Sequence, residues 1–183
     1  MHYLYKKNNL KTNLINDFDH LREEQKLFFK KLKTDRISTR IDYLKRLKNK
    51  INNQEKEIIK ALSTDLGKPS FESYTSEILM VQKELDLFIK NLKSWAAPKR
   101  VSGSLLNFPS KDYIIYEPYG TVLMISPWNY PFQLSLIPLI GAIATGNTVV
   151  LKPSESAPYT ARLLTKLLGE IFPKNWVQVI EGD

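Results

Sequence analysis

Apolar positions recur at helical spacing through the first half of the chain and gather into short continuous runs in the second half. Ile37, Ile41, Leu44, Leu47 and Ile51 follow one another at intervals of 4, 3, 3 and 4, the period of an amphipathic helix. An earlier helix is expected from a cap at Asp17 or Asp19 to about Lys33, with Leu21, Leu27, Phe28 and Leu32 as its apolar side. Asp35 is the expected cap of the second helix. A third, about Gln54 to Leu66, carries Ile58, Ile59 and Leu62 and stops at Gly67-Lys68-Pro69. Glycine just past a helix with proline beyond it is a common stop. A fourth spans about Phe71 to Trp95, turns Tyr74, Ile78, Val81, Leu85, Phe88, Ile89 and Leu92 inward, and closes at Pro98. Residues 1–16 are polar and read as a flexible tail.

Residues 99–111 read as a linker, and Tyr113-Ile114-Ile115-Tyr116 as a short strand on β-branched and aromatic content. After Pro118 and Gly120 the character changes. An apolar strand, 121–125, is followed by a helix from about Phe132 to Ala144, which Gly146-Asn147 ends. A second strand runs Thr148 to Leu151, a helix about Pro158 to Ile171, and a third strand Val177 to Ile180. Continuous apolar strands alternating with helices predict a parallel sheet covered on both faces. The fold class expected is α/β: an N-terminal helical region (17–98), a linker and short strand (99–118), and a partial Rossmann-like β-α-β-α-β sheet (119–183).

Charge changes this picture little. The net charge of +8 comes from residues 1–60, which hold 16 of the 27 Lys+Arg against 8 of the 19 Asp+Glu. The remainder is balanced. A basic helical region raises nucleic-acid or anionic-surface binding as one reading and solvated helix faces as the other. The interleaved Glu23, Glu24, Asp42, Glu55 and Glu57 favour the second, so no nucleic-acid partner is expected. The absence of cysteine excludes disulfides, thiolate metal sites and a cysteine nucleophile within these residues. His2 and His20 have no ligand-like spacing, and no metal site is expected. No stretch reaches the ~18 apolar residues of a membrane span, and residues 1–11 lack a signal-peptide core. A cytoplasmic location is the default expectation.

Two polar turns sit where strands hand over to helices: Ser126-Pro127-Trp128-Asn129-Tyr130-Pro131 and Lys152-Pro153-Ser154-Glu155. In a parallel sheet, ligands bind outside the carboxyl ends of the strands. Parallel neighbours would open both turns onto the same edge. The Asn129 amide suits a developing oxyanion, although asparagine is also common at turns, where it bonds nearby backbone. Trp128 also reads as core. Lys152 and Glu155 suit sugar hydroxyls, yet the same residues read as a capping turn with Ser154 or Ser156 as cap. No G-x-G-x-x-G follows the first strand, and no Gly-Lys-Ser/Thr follows Gly141 and Gly146, so the usual pyrophosphate turn and a P-loop are excluded.

Taken together, the motifs resemble the aldehyde dehydrogenase superfamily. Those that carry the resemblance are Glu117-Pro118-Tyr119-Gly120, Ile125 to Pro131, Gly141, Gly146-Asn147 and Leu151-Lys152-Pro153-Ser154-Glu155. Asp65-Leu66-Gly67-Lys68, Phe108-Pro109-Ser110-Lys111 and Tyr113 to Tyr116 look like its class 3 branch, which acts on fatty and aromatic aldehydes. The resemblance covers residues 20 to 183 and implies NAD- or NADP-dependent oxidation of an aldehyde substrate to a carboxylate. In the family a cysteine thiolate attacks the aldehyde, an asparagine amide holds the oxyanion, and a glutamate activates water. The matching asparagine is Asn129. The resemblance places Ile125, Ser126, Pro127 and Trp128 on the cofactor side, and Lys152, Ser154 and Glu155 at the adenosine ribose.

Family members are more than twice this length. The nucleophilic cysteine and the general-base glutamate are expected beyond Asp183, so the chain by itself is expected to be inactive. It reads as the N-terminal portion of such an enzyme or as one half of a split enzyme completed by a complementary C-terminal chain, with a homodimer as a further partner. A non-catalytic basic helical module is the alternative from another class.

Overall fold

The computed structural model describes residues 18–31, 36–103, 106 and 108–182. The expected tail, the caps Asp17 and Asp35, and Leu32 lie outside them. Helix α1 occupies 18–30, followed by α2 (Ile37–Asn53) and α3 (Glu55–Leu66). Gly67 ends α3 at φ 66, and its amide bonds the Ser63 carbonyl. Next comes a continuous rod: α4 (Ser70–Glu72), a π-helical turn (Ser73–Ile78) and α5 (Leu79–Trp95). The C-terminal part alternates β3 (Thr121–Ile125), α6 (Pro131–Ala144), β4 (Thr148–Lys152), α7 (Pro158–Ile171) and β5 (Val177–Val179). These strands form a parallel sheet in the order β3-β4-β5, with Thr121 opposite Thr148 and Val149 opposite Val177.

One hydrophobic core joins both parts. Leu44, Leu47 and Ile51 of α2, Ile58 and Leu62 of α3, and Leu85 of α5 are fully buried with Leu136 and Leu139 of α6 and Leu164 of α7. The helical stripes are therefore stabilised by the sheet's helices rather than by one another alone. Each such buried aliphatic side chain contributes about 1.5–3 kcal/mol of burial free energy. The family motifs Gly120 and Gly146-Asn147 stitch the sheet together. Asn147 Oδ1 accepts the Gly120 amide at 2.9 Å, and Trp176 Nε1 donates to the Asn147 carbonyl at 3.1 Å. Gly146 sits at φ 92, and a Cβ there would lie 2.9 Å from Arg40 Cζ.

Three sequence expectations are corrected. Leu27 is exposed, and the buried face of α1 carries Gln25 and Phe28. Gln25 Nε2 donates to the Val149 carbonyl at 2.9 Å, so a polar side chain occupies a core-facing position that apolar spacing passes over. Within the expected linker, β1 (Lys99–Val101) pairs antiparallel with β2 (Asp112–Ile114). Ile115 and Tyr116 lie outside the strand. Lys99-Arg100-Val101 has no apolar alternation, and its strand form comes from its partner. Finally, the sheet is not covered on both faces among the described residues: Leu123 and Ile125 of β3 are 64% and 73% exposed.

Candidate functional site

Parallel pairing puts Ile125 opposite Lys152, and the Ser126 amide extends the ladder to the Lys152 carbonyl at 3.1 Å. The two polar turns therefore leave the sheet side by side at its carboxyl edge. Ser126 is buried, and its hydroxyl pairs with that of Ser135 at 2.7 Å. This pins the start of the first turn to α6. Pro127, Trp128, Asn129 and Tyr130 are exposed. Trp128 is thus not core. Among the described residues no hydrogen bond engages the Asn129 side-chain amide, so it makes no local turn bond. That amide is free to donate outward.

In the second turn, Lys152 Nζ donates to Glu155 Oε2 at 3.0 Å. Glu155's own backbone amide, and then the Lys152 ammonium, hold its carboxyl below the usual carboxylate range. Ser154 Oγ accepts the Ser156 amide at 3.2 Å, a local turn bond. Neither Ser154 nor Ser156 caps α7, whose cap position is Ala157 without a side-chain bond. Ser154 Oγ accepts locally and keeps its O–H to donate, while half-buried Lys152 and exposed Glu155 stand as an adjacent donor and acceptor.

A cavity of about 1050 Å³ lies between α1 and the bare sheet face, lined by Leu21, Phe29, Leu123, Ile125, Lys152 and Gly182 among others. It shares only Ile125 and Lys152 with the candidate residues. Its walls are mostly apolar but also carry Arg22, Lys26, Lys30 and Glu181, and Lys152 is the one residue of the two polar turns among its lining residues. Among the described residues no group of three or more His, Cys, Asp or Glu could hold a metal ion. No helix there is long and apolar enough to cross a membrane.

Three charged residues behind the turns were not among the candidate site residues, although Asp65 and Lys68 lie in the class 3-like motif. Glu77 is fully buried and Lys68 is 9% exposed, and they pair at 2.5 Å. Lys68 Nζ also donates to the Asn129 carbonyl at 2.9 Å and lies 3.9 Å from the Tyr130 ring centre. Glu77 Oε2 accepts the amides of Phe132 and Gln133. Asp65 does the same for Tyr159 and Thr160. The signal was available: Glu77 sits beside Ile78 on the inward stripe of an amphipathic helix, where a carboxylate requires a partner.

The sequence profile of the aldehyde dehydrogenase family matches residues 14–183. The chain belongs to the aldehyde dehydrogenase family. It is 48% identical over 159 residues to 4,4'-diaponeurosporen-aldehyde dehydrogenase of Staphylococcus aureus, covering 87% of this chain and 35% of that protein. It is 49% identical over 143 residues to aldehyde dehydrogenase family 3 member H1 of Arabidopsis thaliana, covering 78% and 30%. The solved structure of the substrate-bound state of Staphylococcus aureus AldH superposes with a TM-score of 0.88 at 46% identity, over 91% of this chain and 36% of that one. The chain thus spans about a third of the length of the relatives it matches. The class 3 resemblance and the α/β fold both hold.

Proposed function

We propose that this chain supplies the N-terminal portion of an NAD- or NADP-dependent aldehyde dehydrogenase that oxidises an aldehyde to a carboxylate. The observation that carries the reading is the juxtaposition, across one strand pair, of an unengaged Asn129 amide and an exposed Lys152–Glu155 pair at the carboxyl edge of a parallel sheet. Lys152 would donate to, and Glu155 would accept from, the hydroxyls of the adenosine ribose. Ile125, Ser126, Pro127 and Trp128 form the neighbouring wall, and Ser154 fixes the second turn. NAD or NADP held there would supply the hydride acceptor. The residues fit such a group, since a donor and an acceptor stand together at a sheet edge where nucleotides bind. Asn129 donates its side-chain N–H to the aldehyde oxygen as negative charge develops there. A donor of this kind contributes about 3–4 kcal/mol to the transition state.

The 183 residues contain no cysteine, so a thiolate must come from elsewhere. A serine or threonine hydroxyl is scarcely ionised near neutral pH without a base. The chain alone is therefore inactive. The exposed Leu123 and Ile125, with Tyr119 at 99% exposure, favour a complementary polypeptide that covers this face and supplies the thiolate and the general base. Purified chain is incubated with an aldehyde and NAD or NADP, alone and after co-expression with the downstream segment of a family member. No NAD(P)H forms from the chain alone, and turnover appears on co-expression. NAD(P)H formation from the chain alone overturns the reading.

A further inference from the structure

Helices α6 and α7 begin alike. Each has proline at its first position, Pro131 and Pro158, preceded by Tyr130 or Ala157 with no side-chain capping bond. A helix start leaves free amides that need acceptors, and its positive end attracts anions. Here the first two amides after each proline go to a carboxylate far away in sequence. Glu77 Oε2 accepts Phe132 N at 2.9 Å and Gln133 N at 3.2 Å. Asp65 accepts Tyr159 N at 3.0 Å through Oδ1, and Thr160 N and Oγ1 at 2.7 Å through Oδ2. Both carboxylates come from one short segment spanning the end of α3 and the π-helical turn. Between them lies Lys68, bonded to Glu77 Oε1 and to the Asn129 carbonyl.

We propose that the segment Asp65–Glu77 is a positioning device for the site: its two carboxylates act as remote caps of α6 and α7, and Lys68 ties the Asn129 turn to them. The proposal rests on the aldehyde dehydrogenase reading for the identity of the site, and on the geometry alone for the clamp. Its consequence is that one segment sets the spacing between the oxyanion donor and the ribose pair. Each turn runs from a strand end to a helix start. The strands are registered by the ladder, and the helix starts are registered by Asp65 and Glu77. The π-helical turn gives this arrangement a local cause. It shifts the helical phase within the rod, and Glu77 lies in it on the inward side between the partly buried Tyr74 and the fully buried Ile78.

A purely structural ion pair and a clamp differ in what restoring stability does. Replacing both members of a buried pair with apolar residues leaves no lone charge and is often neutral for stability. The test uses Lys68→Met/Glu77→Leu in the full chain and reads backbone amide hydrogen exchange residue by residue. Exchange at Phe132 and Gln133 rises about tenfold or more, since each loses a bond to a charged acceptor. Val149, whose amide bonds the Trp176 carbonyl, stays within about twofold, as do Tyr159 and Thr160. Asp65→Ala gives the mirror result, raising exchange at Tyr159 and Thr160 only. If the double variant folds poorly, Lys68→Gln/Glu77→Met carries the same readout, scored as the excess of exchange at Phe132 and Gln133 over Val149. Unchanged exchange at the capped amides, or an equal rise everywhere, overturns the clamp. These outcomes are independent of turnover, so a failed complementation assay and a failed clamp are distinguishable.

Discussion

The two faces of the β3–β5 sheet teach different things. Toward α6 and α7, every large side chain meets a partner, and Leu136, Leu139, Leu164 and Val149 have no exposure. On the other face Leu123 and Ile125 stand open, with α1 reaching only part of the strands. The first face is a finished core made by this chain. The second is built from the same kinds of residue and, among the described residues, has the apolar character of a core without its cover. The polar turns at the carboxyl edge mirror this difference. The buried Lys68–Glu77 pair stands behind them and the exposed Lys152–Glu155 pair in front.

This contrast is broken or sharpened by substitution. The largest effect is expected from Lys68→Ala, which leaves Glu77 buried beside helix amides without its ammonium. Loss of one partner of a buried pair costs about 3–5 kcal/mol, measured by urea unfolding. Lys152→Ala, in front of the turns, lowers the unfolding midpoint at neutral pH far less, since an exposed pair contributes little. Equal effects at the two lysines would erase the distinction. Next, Leu136→Ala costs about 2–5 kcal/mol through the cavity it opens, whereas Leu123→Ala on the bare face stays within about 0.5 kcal/mol. A large loss at Leu123 would mean that the face is covered after all. A smaller effect is expected at Gly146→Ala, about 1–3 kcal/mol. Its φ of 92 is unfavourable for alanine, and the new Cβ meets the Arg40 guanidinium.

Much of the finished face was legible in the sequence. The strand 121–125 and the helix Pro158 to Ile171 match the structure, because continuous apolar runs and a proline at the first helical position report their own conformation. The adjacency of the two turns followed from parallel pairing. Other features depended on partners distant in sequence. The β1 strand is made by β2 across the connection 102–111. The buried face of α1 is set by a side-chain bond from Gln25 to Val149. The caps of α6 and α7 stand 55 and 94 residues from the amides they hold. Periodicity marks Glu77 as an inward carboxylate in need of a partner but does not say which amides it holds. In the site, the residue types and their order were legible. Local signals could not show that Asn129 would be exposed with its amide unengaged, or that Ser154 would be occupied by the Ser156 amide.

The smallest expected effect concerns Glu155. Its carboxyl is held below the ordinary range by its own backbone amide and by Lys152. A depressed carboxylate stabilises the fold above the ordinary range and loses that contribution as pH falls through its folded value. Lys152→Met should move the Glu155 titration, followed by NMR, upward toward the ordinary range. An unmoved midpoint would mean that the ammonium does not act on it.

The central claim is that Asn129 donates to the oxyanion in an enzyme whose thiolate lies outside these residues. The direct measurement is NAD(P)H formation by the chain co-expressed with a downstream family segment, comparing Asn129 with Asn129→Ala. The account predicts turnover only in the complemented protein, and a fall in kcat of about 100- to 1000-fold for Asn129→Ala. Unchanged turnover in the Asn129→Ala protein would contradict it.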